Sequence, residues 1–194
     1  MITRIFILFF LFLTNLFSQL LVDSGNNSLN VQPAPIRFNS LGKSVVLNSL
    51  NNSFRIIANN NNEIKSANYL NYLLKNNYGI EFKINPENEV GVVNEWVIKF
   101  SISKSNSFIN SQHYRIHPDI NKKEIEISSP GQLGLLFGAV TFLDFVRSEN
   151  GAIKINLFEV DDWPEYSRRI FSTVLKPDRV EDMLNYALLN KMET

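Results

Sequence analysis

Cysteine is absent from this 194-residue chain. Its absence excludes disulfides, thiolate nucleophiles, cysteine-ligated zinc and a lipid-modified cysteine. Net charge is missing too, because 19 Lys and Arg balance 19 Asp and Glu. A balanced chain has no electrostatic footprint for nucleic acid or an anionic membrane. No GxSxG segment occurs, so a serine hydrolase has no support. "GQLGLLFG" is neither GxGxxG nor a P-loop, since its glycine spacing differs and the Lys-Ser/Thr end is lacking. No nucleotide cofactor is therefore expected. What is present is an ordinary globular composition, 44% hydrophobic and 20% charged, which suits one domain with a real core. Asparagine is abundant. Its run at Asn59 to Asn62 reads as a loop without chemistry of its own.

The N-terminus, "MITRIFILFFLFLTNLFSQLLVDSG", has the pattern of a secretory signal peptide over residues 1–19. Arg4 is the positive start, Ile5 to Leu13 the apolar run, and Ser18 with Gln19 the cleavage point. The competing reading is an uncleaved anchor. Even the stretch Ile5 to Val22 is marginal against the roughly 20 apolar residues a span needs. Thr14, Asn15, Ser18 and Gln19 also interrupt it. The expectation is therefore a secreted, periplasmic or cell-surface product with no stable membrane span.

Beyond the leader, "VQPAPIRF" is extended because its prolines discourage helix. Strand-like pieces follow at Val45 to Leu47 and Phe54 to Ile57. In "NEIKSANYLNYLLKNNYGIEF", Ile64, Ala67, Leu70, Tyr72, Leu73 and Leu74 recur at helical spacing, and Gly79 is the stop signal. "IEFKI" and "EWVIKFSIS" read as strands. "HYRIHPDI" and "KEIEISS" read as a strand pair turning at "NKK". "SSPGQLGLLFGAVTFLDFVRSENG" predicts a buried helix with Ser129 as N-cap and Pro130 first. Its apolar face is Leu133, Leu136, Phe137, Val140, Leu143 and Phe145. Gly134 and Gly138, four apart, let another backbone approach closely. "GAIKINLFEV" returns as a strand. The order β-β-α-β-β-β-β-α-β is an α+β layer domain, taken as 31–162. A boundary falls at "DDWPEY", where Pro164 holds Trp163 extended. A strand at "RRIFSTV" then leads to a helix at "DRVEDMLNYALLNKM". Pro177 and Asp178 sit at its start and Lys191 in its last turn, as the helix dipole favours.

Several residues invite a functional reading. His113 and His117 are four apart in "HYRIH". On a helix both would face one metal, as in HExxH proteases, but Tyr114 replaces the general-base Glu. Four residues of strand span about 13 Å, far beyond zinc–nitrogen bonds of about 2 Å. Exposed strand histidines without a metal are expected instead, and a metalloprotease loses its support. Glu159, Asp161 and Asp162 read as a solvated or capping turn rather than a catalytic set. Trp96 reads as core, and Trp163 as linker packing rather than a sugar platform.

Three pieces carry a resemblance when taken in order: "ANYLNYLLKNNYGIEF", "YRIHPDINKKEIEISSPGQLGLLFGAVTFLDFV", and "DDWPEYSRRIF" running on to "NKM". Together they resemble the N-terminal domain of family 20 glycoside hydrolases, the β-N-acetylhexosaminidases, and its counterpart in family 84. The resemblance implies a zincin-like α+β accessory domain, a mixed sheet packed by two helices. It also implies that 163–194 is the first βα unit of a TIM-barrel catalytic domain. One such unit cannot stand for a closed barrel. It would expose strand edges and an apolar helix face. The chain is thus expected to be a fragment, a truncated gene or half of a split reading frame. The implied partners are its own C-terminal catalytic barrel and, through that barrel, a glycan substrate. By the resemblance, Arg169 matches a sugar-holding arginine at the start of the first barrel strand. Ile170 stands where the family has Gly, and the family's next Asp and Arg-His have no match, so a structural linker arginine is the competing reading. Family 20 chemistry needs a neighbouring Asp-Glu pair, in which Glu protonates the leaving oxygen and Asp orients the substrate's acetamido group. No Asp-Glu dipeptide occurs here, so no catalytic residue is assigned. Two functions remain: the accessory domain of a secreted hydrolase, or a free-standing secreted module binding a glycan or a protein.

Overall fold

The computed structural model describes residues 35–47, 54–87, 95–105, 107–164 and 180–192. The expected signal peptide, the expected barrel strand at "RRIFSTV", Pro177 and Asp178 lie outside these residues.

Among the described residues, eight strands and three helices follow in chain order: β1 (Arg37–Leu47), β2 (Phe54–Ile57), α1 (Asn61–Tyr78), β3 (Lys83–Asn85), β4 (Trp96–Ile102), β5 (Tyr114–Asp119), β6 (Glu124–Ser129), α2 (Gln132–Leu143), β7 (Val146–Glu149), β8 (Ala152–Asp162) and α3 (Val180–Leu189). They form one mixed sheet in the order β1-β8-β5-β6-β4-β2-β3, with β7 also on β8. The β3, β2, β4 and β6 neighbours run parallel, and the β6, β5, β8 and β1 neighbours antiparallel. Fold class and the two helices packed on the sheet agree with the sequence reading.

Alternation along each strand divides the sheet into two faces. One row crosses it as Phe100, Ile127, Ile116, Val160 and Phe38. Phe100, Ile127, Ile116 and Val160 of that row face the helices and join the core with Ile56, Ile98, Leu70, Leu74 and Phe142, while Phe38 at the sheet edge stays exposed and stacks on Phe158. The next row runs Lys99, Glu126 and His117 across β4, β6 and β5, and Glu159 of β8 reaches His117 at 3.5 Å. This row is polar and lies on the open face.

Local chemistry explains the element ends. Asn60 caps α1: its side chain accepts from Asn62 N and Glu63 N, while Glu63 Oε2 accepts from Asn59 N and Asn60 N. This is a capping box, so the asparagine run does carry chemistry. Glu63 Oε1 also accepts from Ile102 N at 2.8 Å, tying the helix start to β4. Gly79 closes α1 with φ 69°, as its position in the sequence implied. Ser129, by contrast, is not the cap of α2. The helix begins two residues later with Gly131 as N-cap, and the Ser129 hydroxyl bonds the backbone of Gly131. The expected long helix also ends early, at Leu143. Phe145 lies beyond it, and Val146–Glu149 form β7, which the sequence reading absorbed into the helix. Asn150 and Gly151, with φ 52° and 75°, make the two-residue hairpin turn from β7 to β8.

The α2 glycines do admit close neighbours. A Cβ on Gly134 would collide with Ser129 Oγ and come within 2.7 Å of His113 O, and one on Gly138 would lie 2.6 Å from Ile127 Cγ2. No helix among the described residues is long and apolar enough to cross a membrane.

Candidate functional site

The acidic residues read as a turn belong to strand β8. Strand period 2 sends its last two residues to opposite faces. Each of them gathers a polar cluster.

Asp162 points to the helical side and is 4% exposed. Its Oδ1 accepts from Ile36 N at 3.1 Å. Its Oδ2 accepts from Tyr114 OH at 2.7 Å and from Lys191 Nζ at 3.0 Å. Lys191 Nζ also donates to Tyr114 OH at 2.7 Å, and Thr141 Oγ1 lies 2.7 Å from the same hydroxyl. Burial, and then the charge of Asp162, push the Tyr114 phenol well above its ordinary range. Lys191 was expected in the last turn of a helix, complementing its dipole. It lies two residues past α3, fully buried, and its ammonium goes to Asp162 instead. A carboxylate taken out of water needs such a partner.

Asp161 points to the open face. His113 Nε2 lies 2.5 Å from its Oδ1, Arg115 Nε donates to the same oxygen at 2.9 Å, and Arg37 reaches Oδ2 at 3.4 Å. Burial raises the Asp161 carboxyl, but the bonds from His113 and Arg115 and the Arg115 charge outweigh it. The result lies below the ordinary carboxylate range. His113 Nδ1 accepts from Ile109 N at 2.9 Å. A backbone N–H can only donate, so Nδ1 is the bare nitrogen and Nε2 carries the proton toward Asp161. The ring packs edge-on to Phe108 and tilted against Trp163, with centroids 4.9 and 5.1 Å away.

The expectation of two exposed strand histidines therefore fails at His113. It is 1% exposed, precedes β5, and is sealed by the 107–113 loop and Trp163. His117 does lie exposed on β5, beside Glu159. The two histidines have different partners. Trp96 is core, as read. Trp163 packs on His113 and beneath Arg37. Arg169 falls outside the described residues.

An open depression of about 600 Å³ runs over this face, lined by Arg37, Asn39, Arg115, His117, Glu126 and Glu159 among others. Several of its polar groups are engaged: Asn39 and His117 with Glu159, and Arg115 and Arg37 with Asp161. The one buried imidazole is poorly placed to act as a base, because its free nitrogen is taken by Ile109 N–H. Both clusters tie elements together.

Fold and clusters define a two-layer α+β domain whose buried polar groups are structural. The family model for glycosyl hydrolase family 20, domain 2, matches residues 28–163, and the chain belongs to that family. No curated protein matches the sequence. Solved structures with this fold include the chitobiase of Flavobacterium johnsoniae, at TM-score 0.62 and 18% identity over 82% of this chain. The Streptomyces plicatus N-acetyl-β-hexosaminidase matches at TM-score 0.61 and 16% identity over 88%. CpGH84B, whose name carries the family 84 designation, matches at TM-score 0.58 and 16% identity over 84%. The chain spans only 25%, 34% and 28% of those three chains.

Proposed function

We propose that this chain supplies the non-catalytic accessory domain of a secreted glycoside hydrolase of the β-N-acetylhexosaminidase type. Residues 1–19 direct export, and the segment from Trp163 onward opens a catalytic barrel. That barrel removes terminal N-acetylhexosamine from glycans, and the described domain turns over no sugar itself. One observation carries the reading. The family match fills most of this chain, while the chain spans only 25% of a similar structure named a chitobiase and 34% of one named an N-acetyl-β-hexosaminidase. The missing Asp-Glu dipeptide and the structural use of Asp161, Asp162 and His113 support it. Arg169 would then be a sugar-holding residue of the barrel start.

The test is the intact mass of the native exported protein, with an assay on a chromogenic N-acetylglucosaminide using the same sample. A mass well above the 22.3 kDa of this chain, together with hydrolysis, is expected. A mass near or below that value with no hydrolysis overturns the enzyme reading and favours a free-standing binding module.

A further inference from the structure

Lys191 stands where a lysine strains the backbone. Helix α3 ends in a tight reversal, with Lys191 N donating to Leu188 O at 2.9 Å and Met192 N to Ala187 O at 2.8 Å. This paired pattern puts the residue just past the helix in the left-handed region, and Lys191 has φ 52°. Glycine fits that conformation without cost, and an L side chain does not. A strained non-glycine residue calls for a reason, and the side chain supplies one. Lys191 is 2% exposed, with its ammonium on Asp162 Oδ2 and Tyr114 OH and 5.2 Å from the Tyr114 ring centre.

The partners come from different parts of the chain. Tyr114 lies on β5, Thr141 on α2 and Asp162 at the end of β8, all within the family-matched residues. Lys191 comes from the segment that follows them. We propose that Tyr114, Thr141 and Asp162 form an anionic socket for a lysine presented at a helix end, and that this latch holds the downstream segment on the domain. Helix α3 has ten residues, too few to be stable by itself. It leaves Leu184, Tyr186 and Leu189 exposed, so its apolar burial on α2 is limited. The ion pair supplies what that contact lacks. Emptying the socket would strand a buried carboxylate against Tyr114, which is costly. The latch rests on this chain's own contacts. Only its extension, that it sets the stance of a catalytic barrel on the sheet, depends on the proposed function.

Hydrogen exchange on the full chain tests it, comparing α3 amides with those of Ile98 and Phe100 in β4. Lys191→Gly is the discriminating variant, because it relieves the backbone while removing the ammonium. The latch predicts roughly tenfold or greater acceleration of exchange in α3 with β4 unchanged. Asp162→Asn should give the same pattern, and Lys191→Arg should preserve more α3 protection than Lys191→Gly. If Lys191 serves only as a helix stop, glycine improves it and α3 exchange stays equal or slows, which overturns the proposal. Equal exchange in α3 for Asp162→Asn overturns it as well. The β4 amides report separately whether a variant sheet has folded. Failure here leaves the accessory-domain reading to its own test of mass and hydrolysis.

Discussion

A buried amide is most useful when both of its ends are engaged. Asn71 faces Phe82 from the middle of α1, with Nδ2 donating to Phe82 O at 2.7 Å and Oδ1 accepting from Phe82 N at 3.0 Å. The side chain thus satisfies both backbone groups of a residue just ahead of β3, as a neighbouring strand would. Asn71→Asp keeps the shape and loses the donor. It sets a carboxylate oxygen against a carbonyl oxygen in a buried site, at a cost of about 2–4 kcal/mol. Urea unfolding near neutral pH should show a lower midpoint with little change in slope. An unchanged midpoint would mean the clamp carries no stability. Residues of this kind were hard to read in the sequence. Asn71 looks like any polar position on a helix, and nothing local says that it meets Phe82. His113 misled for a similar reason. Strand alternation places it on the open face, and only the 107–113 loop with Trp163 buries it there.

Elements were far more legible, because period and breakers are local. Helix α1, its glycine stop, the β5–β6 pair and the glycine spacing of α2 all follow from residues a few positions apart. The misplaced start of α2 has a physical cause. Ser129 and Pro130 form a plausible helix start, but Ser129 remains paired with Ile102 as the last residue of β6, and its hydroxyl serves Gly131. The missed β7 was signalled by Asn150-Gly151, a hairpin turn pair, hidden behind an apolar run that continued past Leu143. The two α2 glycines give a contrast at this scale. At Gly134 an added Cβ meets the His113 carbonyl oxygen at 2.7 Å, and backbone cannot easily move. At Gly138 it meets the Ile127 Cγ2 methyl at 2.6 Å and Tyr114 Cδ2 at 3.3 Å, both on fully buried side chains, and the β-branched Ile127 is stiff at χ1. Alanine in a helix interior gains about 1 kcal/mol over glycine, whereas overpacking a core costs about 1–3 kcal/mol or more. Both Gly134→Ala and Gly138→Ala should therefore lower thermal stability, Gly134→Ala the more because it meets backbone. Equal losses would show that Ile127 is held as rigidly as backbone.

Over the whole molecule, the two sheet faces divide the labour. The helical face buries the core, and the open face holds its polar side chains in cross-strand pairs, a division that strand alternation made readable from the sequence. The pairing order was not readable, since β8 sits between β1 and β5 through contacts more than a hundred residues apart in one case. Asp161 lies at that junction, drawing His113 and Arg115 from the β5 side and Arg37 from β1 onto one carboxylate. Its folded-state pKa is depressed, because these bonds favour the charged form against the opposing effect of burial. A depressed carboxylate contributes stability that is fully present above its unfolded value of about 3.9. That contribution is lost as pH falls through the lower folded value. Asp161→Asn removes the titration while leaving an acceptor for His113. The variant should be less stable than the native chain near neutrality. Its deficit should begin to shrink as pH falls below about 4, where the unfolded chain's carboxylate takes up a proton, and go on shrinking down to the lower folded value. Urea midpoints measured from neutral pH down to about pH 2 would show two converging curves. Parallel curves across that range would mean that Asp161 is held alike in the folded and unfolded chain, and that the junction of β1, β8 and β5 rests on its backbone ladders alone.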